Sequence, residues 1–317
     1  MFCNLSPSFF NLFRAILLCS LTAFKIPVSA QHFGGSYTQS KPIVLSAVHN
    51  KVINLLSIRG NMADCVRLIN CSNITIKNCH FYSSSQNGVN IINSKNITVT
   101  NCYFENTVSG VYAYQSSAIS VIYNQFKNML GPIPKGQMVQ FNEVYGGGNR
   151  VNFNRCQNTP GIGNPEDAIN MYKTNGTATS PVQIRNNQIR GGGTGASGGG
   201  IMLGDNGGSY QMARNNILVN PGQYGMAISG GTHISITANK IYARQQPFTN
   251  VGIYVWNQHS TGCAFNTVNY NQVNYTNAAG KQNSGWDKGN CGDVIEWATN
   301  VWAAPINDKL LPANIVK

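Results

Sequence analysis

Asn73-Ile-Thr-Ile-Lys-Asn-Cys-His-Phe81 returns as Asn96-Ile-Thr-Val-Thr-Asn-Cys-Tyr-Phe104 and again as Ile119-Ser-Val-Ile-Tyr-Asn-Gln-Phe126. Weaker copies follow at Val182 to Ile189, Met212 to Leu218, Ile234 to Ile241 and Phe265 to Val273, each an alternating apolar run that closes on Asn. Self-similarity at a period in the twenties marks an architecture of stacked repeats. A shorter alternating segment precedes each copy: Cys65-Val-Arg-Leu-Ile-Asn70, Gly88-Val-Asn-Ile-Ile-Asn93, Gly110-Val-Tyr-Ala-Tyr-Gln115 and Met138-Val-Gln-Phe-Asn-Glu143. The series goes on through Ala168-Ile-Asn-Met-Tyr-Lys173, Gly200-Ile-Met-Leu-Gly-Asp205, Gly225-Met-Ala-Ile-Ser-Gly230 and Gly252-Ile-Tyr-Val-Trp-Asn257.

Alternate residues of a strand share a face. Val66, Val89, Val111, Val139, Ile169, Ile201, Met226 and Ile253 therefore form one inward column, and Leu68, Ile91, Ala113, Phe141, Met171, Leu203, Ile228 and Val255 form the next. Stacking such columns buries a continuous core that no single repeat could build. Asn124, Asn187, Asn215, Asn239 and Asn271 are expected at the coil bends, where amides can bond to one another and to turning backbone. Cys79 and Cys102 take the same column in the first coils. The fold predicted is all-β, a single-stranded right-handed parallel β-helix with capped ends, since parallel crossovers are overwhelmingly right-handed. Residues 31–63 are expected to cap one end, 64–300 to form the helix, and 301–317 to cover the other end.

This pattern resembles the pectin-lyase-like β-helix proteins from about Asp64 to Asn300. That superfamily contains polysaccharide lyases, glycoside hydrolases, epimerases, esterases, phage tailspikes and surface adhesins, so the resemblance implies a fold more narrowly than an activity. A local likeness goes further: Asn164-Pro-Glu-Asp-Ala-Ile-Asn-Met-Tyr-Lys173 resembles the Glu-x-Glu-Ile-Ile-x-x-Lys stretch of β-helix lyases acting on alginate and dermatan-type chains. It implies Glu166 as a calcium ligand and Lys173 as the catalytic base. Ala168 stands at the second Glu position with Asp167 beside it, and the Arg of a later coil is replaced around Gly204 and Asp205.

Before the repeats, Arg14, the apolar stretch Ala15 to Phe24 and Val28-Ser29-Ala30 read as a secretory signal peptide over residues 1–30, and the apolar run is too short to span a bilayer. The chain holds 22 Lys and Arg against 10 Asp and Glu; removing Arg14 and Lys25 leaves 20 − 10 = +10 for the mature protein. Such an excess draws a secreted protein to anionic partners. An acidic polysaccharide is the partner expected, since no nucleic-acid module is visible. Seven cysteines remain after cleavage, an odd number, and Cys263 and Cys291 flank a C-terminal segment where export favours a disulfide.

Three insertions, at 129–137, 158–166 and 191–199, fall just before a first strand of the next coil. Loops so placed wall one side of a trough on the outer face of those strands. Along the ends of the first strands the pattern presents Asn70, Asn93, Gln115, Glu143, Lys173, Asp205, Gly230 and Asn257. With rungs roughly 4.8 Å apart, Lys173 is expected between two carboxylates, and Glu143 and Asp205 roughly 9 to 10 Å apart. Two mechanisms follow. In a lyase on a uronate-containing glycan, Lys173 is the base, and calcium on Glu166 and Asp167, with Glu143 in reach, offsets the carboxylates that would keep the lysine protonated. In an inverting glycosidase, Glu143 and Asp205 are acid and base, a role suited to separations of roughly 6.5 to 9.5 Å. Asn142, Asn170 and the outward aromatics Tyr112, Tyr114, Tyr172, Tyr254 and Trp256 are the expected sugar contacts. A non-catalytic glycan-binding surface protein is the third reading. His80, His233, His32 and His259 assemble no Ser-His-Asp arrangement.

Overall fold

A computed structural model describes residues 36–316; the leader expected at Met1 to Ala30 lies outside them. The chain winds as a right-handed parallel β-helix, all strand pairs between coils being parallel. In a typical coil, Val66–Ile69 forms the first face and Ser72–Lys77 the second, and the start of His80–Ile92 forms the third before that strand bends into the next first face. The second faces make a nine-stranded sheet from His49–Asn54 to Thr267–Asn269. The other two faces merge into a larger sheet because His80–Ile92 and Tyr103–Tyr114 pass their bend unbroken.

Both inward columns read from the sequence are fully buried along their length. Their register is as expected from Val66 opposite Val89 through to Met226 opposite Ile253. Phe81, Phe104 and Phe126 stack inside the third face with ring centroids 5.0 and 4.6 Å apart. The glycine that opens several first strands makes room for this stack. A Cβ on Gly88 would lie 2.4 Å from Phe104, and one on Gly110 2.5 Å from Phe126.

The bend between the second and third faces carries a buried amide ladder: Asn124, Asn154, Asn187, Asn216, Asn239, Asn271 and Asn300. Each side-chain oxygen accepts both the backbone and side-chain N–H of the previous Asn; each amide nitrogen also reaches a strand carbonyl, as Asn216 Nδ2 does at Ile184 (2.9 Å). Asn216 holds the place assigned above to Asn215, which is exposed and left-handed at φ 57°. The two adjacent asparagines are indistinguishable by type, and only the register of the neighbouring strands decides between them. Cys79 and Cys102 continue this column as buried free thiols, and Cys102 N–H is accepted by Asn124 Oδ1 at 2.9 Å. Cys263 and Cys291 are disulfide-bonded.

Both ends differ from expectation. Of the segment 31–63 expected as a cap, residues 31–35 lie outside the described residues, and the rest belongs to the helix: Thr38–Ser40, Ile43–Ser46, His49–Asn54 and Leu56–Asn61 already pair in parallel with the following coil. Among the described residues this first rung has a neighbour on one side only, so its inward Ile43 and Leu45 stay half-buried, and with Val44 and Val52 at outward positions the alternation is weak. At the other end, Trp297 and Trp302 pack together on the core, centroids 4.7 Å apart. The remaining tail does not cover that end but runs back along the third face. Leu311, Ile315 and Val316 pack on Val219, and Gln157 Oε1 accepts the N–H of Ile315 at 2.8 Å.

Asn216→Ala removes from a dry ladder one acceptor oxygen that takes two hydrogen bonds and an amide nitrogen that gives two, and is expected to cost about 3 kcal/mol or more in denaturant unfolding. Asn215→Ala, one residue away, gives up only the left-handed preference of an exposed Asn, about 1 kcal/mol. Equal costs would contradict the ladder register.

Candidate functional site

The outer side of the first-strand face is organised by the same register. One outward column runs Asn90, Tyr112, Gln140, Asn170, Met202, Ala227, Tyr254 and Trp286. A second runs Tyr114, Asn142, Tyr172 and Asp205. The inserted loops stack into a wall beside them. Glu166 N–H is accepted by Lys135 O at 2.9 Å, Asn164 N–H by Leu130 O at 3.0 Å, and Asn164 Oδ1 accepts Thr194 and Gly195, each at 3.1 Å. Wall and sheet enclose a groove of about 500 Å³ lined by Asn90, Tyr112, Lys135, Asn142, Glu166, Asn170, Tyr172 and Asp205.

Two carboxyl groups, those of Glu166 and Asp205, line this groove, and the charge of a third, the buried Asp167, acts on Glu166. Asp167, the last residue of its loop, is buried; its oxygens accept from Gly199 N (3.0 Å), from the Tyr224 hydroxyl and from Asn170 Nδ2 (2.9 Å). Asn170 is buried in turn and gives its other N–H to Asp205 Oδ2 at 2.9 Å, so one amide ties two acids together. His259 Nε2 stands 3.3 Å from Asp205 Oδ1. Glu166 accepts from Gln137 Nε2 at 3.2 Å. Burial, reinforced by the charges of Asp167 and Asp205, pushes the Glu166 carboxyl up to about 7. Burial also raises Asp167 to about 6, against the lowering pull of its donors.

Asp205 reaches this cluster through an extra residue. Asn170 pairs with Met202 but Tyr172 pairs with Asp205, so the Gly199–Ser209 strand carries a bulge between those pairs. Gly204 absorbs it with φ 61°, and a Cβ there would lie 2.0 Å from Gly230 O. Asp205 consequently falls in register with Tyr172 and not with Lys173. The expected column Glu143, Lys173, Asp205 is thereby broken. Glu143 and Lys173 lie at the turn after the first strands, lining a separate shallow depression with Gln115 and Tyr145; Glu143 accepts from Gln115 Nε2 at 2.8 Å. Lys173 is exposed, its Nζ 5.4 Å from the centroid of the Tyr172 ring.

Of the expected sugar contacts, Asn142, Asn170 and Tyr172 line the groove, and Tyr114 stands in register beside Asn142. Tyr254 and Trp256 line a second depression further along the same face, together with Trp286. Sequence reasoning missed Trp286, Gln137, Tyr224 and His259. Trp286 lies in the segment between Cys263 and Cys291, outside the eight repeats read from the sequence, and His259 reaches Asp205 only because its loop folds back over two rungs; no local pattern marks either.

The expected calcium site does not fit the residues present. Both oxygens of Asp167 are already held by donors, Glu143 belongs to the other depression, and no group of three or more His, Cys, Asp or Glu among the described residues could hold a metal ion. The charge expectation is also redirected. Glu166, Asp167 and Asp205 outweigh Lys135 at the groove, so the basic excess of the chain lies elsewhere. No helix among the described residues is long and apolar enough to cross a membrane.

A family model described as a right-handed β-helix region matches residues 43–163. No curated protein matches. Among solved structures, the chain is similar to the catalytic domain of a GH87 α-1,3-glucanase in complex with nigerose, at 14% identity and TM-score 0.49. That match covers 84% of this chain and 61% of the other, so the chain spans about three fifths of that domain. It is also similar to PfbA, a surface adhesin of Streptococcus pneumoniae, at 11% identity and TM-score 0.33, covering 76% of this chain and 79% of the adhesin. These likenesses bear on the fold alone.

The raised acids have a consequence for stability. With folded values of about 7 for Glu166 and about 6 for Asp167, against ordinary values of 4.5 and 3.8, the folded chain holds more protons than the unfolded chain between these limits. Their contribution therefore declines as pH rises through that window. Glu166→Gln cannot ionise, so its melting temperature relative to wild type is expected to climb from pH 4.5 to 7.5. A difference independent of pH would contradict the burial assigned to Glu166.

Proposed function

We propose that the chain is a carbohydrate-active β-helix that hydrolyses a neutral polysaccharide lying along the first-strand face, with Glu166 as general acid and Asp205 as general base. The observation that carries this reading is the meeting of Glu166 and Asp205 in one walled groove, backed by the buried Asp167, with the Glu166 carboxyl pushed up to about 7. An acid with that value is still protonated near neutral pH and can deliver its proton at the same pH. Glu166 protonates the glycosidic oxygen. Asp205, oriented by Asn170 and His259, takes a proton from the water that attacks the anomeric carbon as the C–O bond breaks. Asp167 stays an orienting anion: it fixes Asn170 and raises Glu166 by its charge.

Substrate chemistry is supported by what the groove leaves unpaired. Asn90 Oδ1, Asn142 Oδ1 and Asn170 Oδ1 are buried acceptors without a hydrogen-bond partner among the described residues. Such acceptors call for donors, which sugar hydroxyls supply in number. The half-exposed rings of Tyr112 and Tyr172 offer apolar faces to the sugar. An acid-rich groove disfavours uronates, so a neutral glycan suits it better than the anionic one suggested by net charge. The expected signal peptide and the Cys263–Cys291 disulfide suit an exported protein meeting such polymers outside the cell.

The test is a panel of neutral glucans, mannans and xylans together with polygalacturonate and alginate, followed by new reducing ends and by the absorbance of an unsaturated uronate. Reducing ends without that absorbance are expected, on a neutral member. Glu166→Gln and Asp205→Asn should each lower kcat by roughly 10² to 10⁴, with Lys173→Ala left near wild type. Absorbance that disappears in Lys173→Ala would instead establish elimination. Binding without cleavage would leave a glycan-binding surface protein.

A further inference from the structure

The basic excess has a location. The strands of the nine-stranded sheet contain six charged side chains, Lys51, Lys77, Lys95, Arg150, Arg185 and Arg214, and all are basic. Arg150, Arg185 and Arg214 lie on three consecutive rungs. Arg185 and Arg214 are directly in register, and Arg150 stands two residues before Asn152, which pairs with Arg185. Like charges opposite one another in a sheet repel. None of the three has a carboxylate partner among the described residues. The Nε of Arg185 is buried with no acceptor at all. Among the described residues its guanidinium meets the Met212 sulfur at 3.0 Å, while Ser120 Oγ holds Arg150 Nε at 2.8 Å. A bound anion would relieve the repulsion between the paired guanidinium groups.

We infer that this second face is a docking surface for a linear polyuronate, separate from the groove. The positions at either side of the arginines are short and polar, Thr75, Thr98 and Ser120 leading to Arg150 and Thr237 and Asn269 following Arg214, while Ile122, Asn152, Gln183 and Met212 stand in register between them. They form a flat bed on which an extended chain can lie across the rungs. One carboxylate per sugar is spaced much like the rungs, roughly 4.8 Å apart. The arginine columns themselves carry no aromatic side chain, and the neighbouring Tyr123 and Phe153 stack on each other with centroids 4.9 Å apart, whereas single-stranded nucleic acid is typically held by stacking its bases on aromatics. Charge complementarity therefore favours a polycarboxylate glycan. Docked by this face on an acidic polymer, the protein keeps its acid-rich groove open toward another chain.

The experiment measures binding of the full chain to polygalacturonate, with its fully methyl-esterified form as the neutral control. Wild type is expected to bind the acid form at about 50 mM salt and release as salt rises, and Arg185→Gln/Arg214→Gln to bind about tenfold more weakly with a shallower salt dependence. Lys281→Gln/Lys309→Gln, which removes the same charge elsewhere, should keep wild-type affinity. Arg214→Gln alone touches an exposed side chain, so it folds, and should weaken binding severalfold. Equal weakening by the lysine pair would show net charge alone at work and overturn the site. So would absence of binding by wild type. Tighter binding of an oligothymidylate, lost in the arginine variants, would replace the polyuronate by nucleic acid.

Discussion

Parallel stacking in register is the constraint from which the rest of this molecule follows. Once Val66, Val89, Val111, Val139 and their successors must lie over one another in a dry core, every residue between them is committed to an outward column as well. The groove, its amides and its aromatics are a by-product of that commitment. A single extra residue then has a large effect. The bulge at Gly204 leaves Ile201 and Leu203 buried while moving Asp205 from the turn position to the groove face. That shift brings Asp205 to Asn170 and to the neighbourhood of Glu166 and Asp167, and away from Glu143.

The acid cluster is held at a cost. Asp167 sits in the interior, where an ionised carboxylate is disfavoured, and it persists because a backbone N–H, a tyrosine hydroxyl and an amide all point at it. Glu166 has fewer donors and answers burial by holding its proton. Asn170 joins the arrangement from the strand below Asp205, spending both N–H groups on two acids and leaving its buried oxygen without a partner among the described residues. Environment thus assigns different protonation to neighbouring carboxyls, as acid–base chemistry requires.

The fold was legible because its signal is repeated: both inward columns, the position of the inserted loops and the Cys263–Cys291 pair could be read from residue type and spacing. The site was legible only in part. Glu166, Asp167, Asn170, Tyr172 and Asp205 were singled out, yet Asp205 was paired with the wrong partner because alternation counting assumes unbroken strands and a glycine bulge has no hydropathy. The choice of Asn215 over Asn216 failed for the same reason, one residue of register. The first coil and the returning tail escaped because end elements have only one packed side, which halves the pattern. His259 and Trp286 escaped because long-range folding of loops leaves no local trace.

The central claim is that Asp205, and not Glu143, shares an electrostatic site with Glu166. Carbon-13 NMR of the glutamate carboxyls, read as a pH titration in wild type, Asp205→Asn and Glu143→Gln, measures this directly. The account predicts one glutamate titrating near 7, assigned by its loss in Glu166→Gln, that moves down in Asp205→Asn and stays in place in Glu143→Gln. A Glu166 titration that responds to Glu143→Gln and ignores Asp205→Asn would contradict the register on which the site is built.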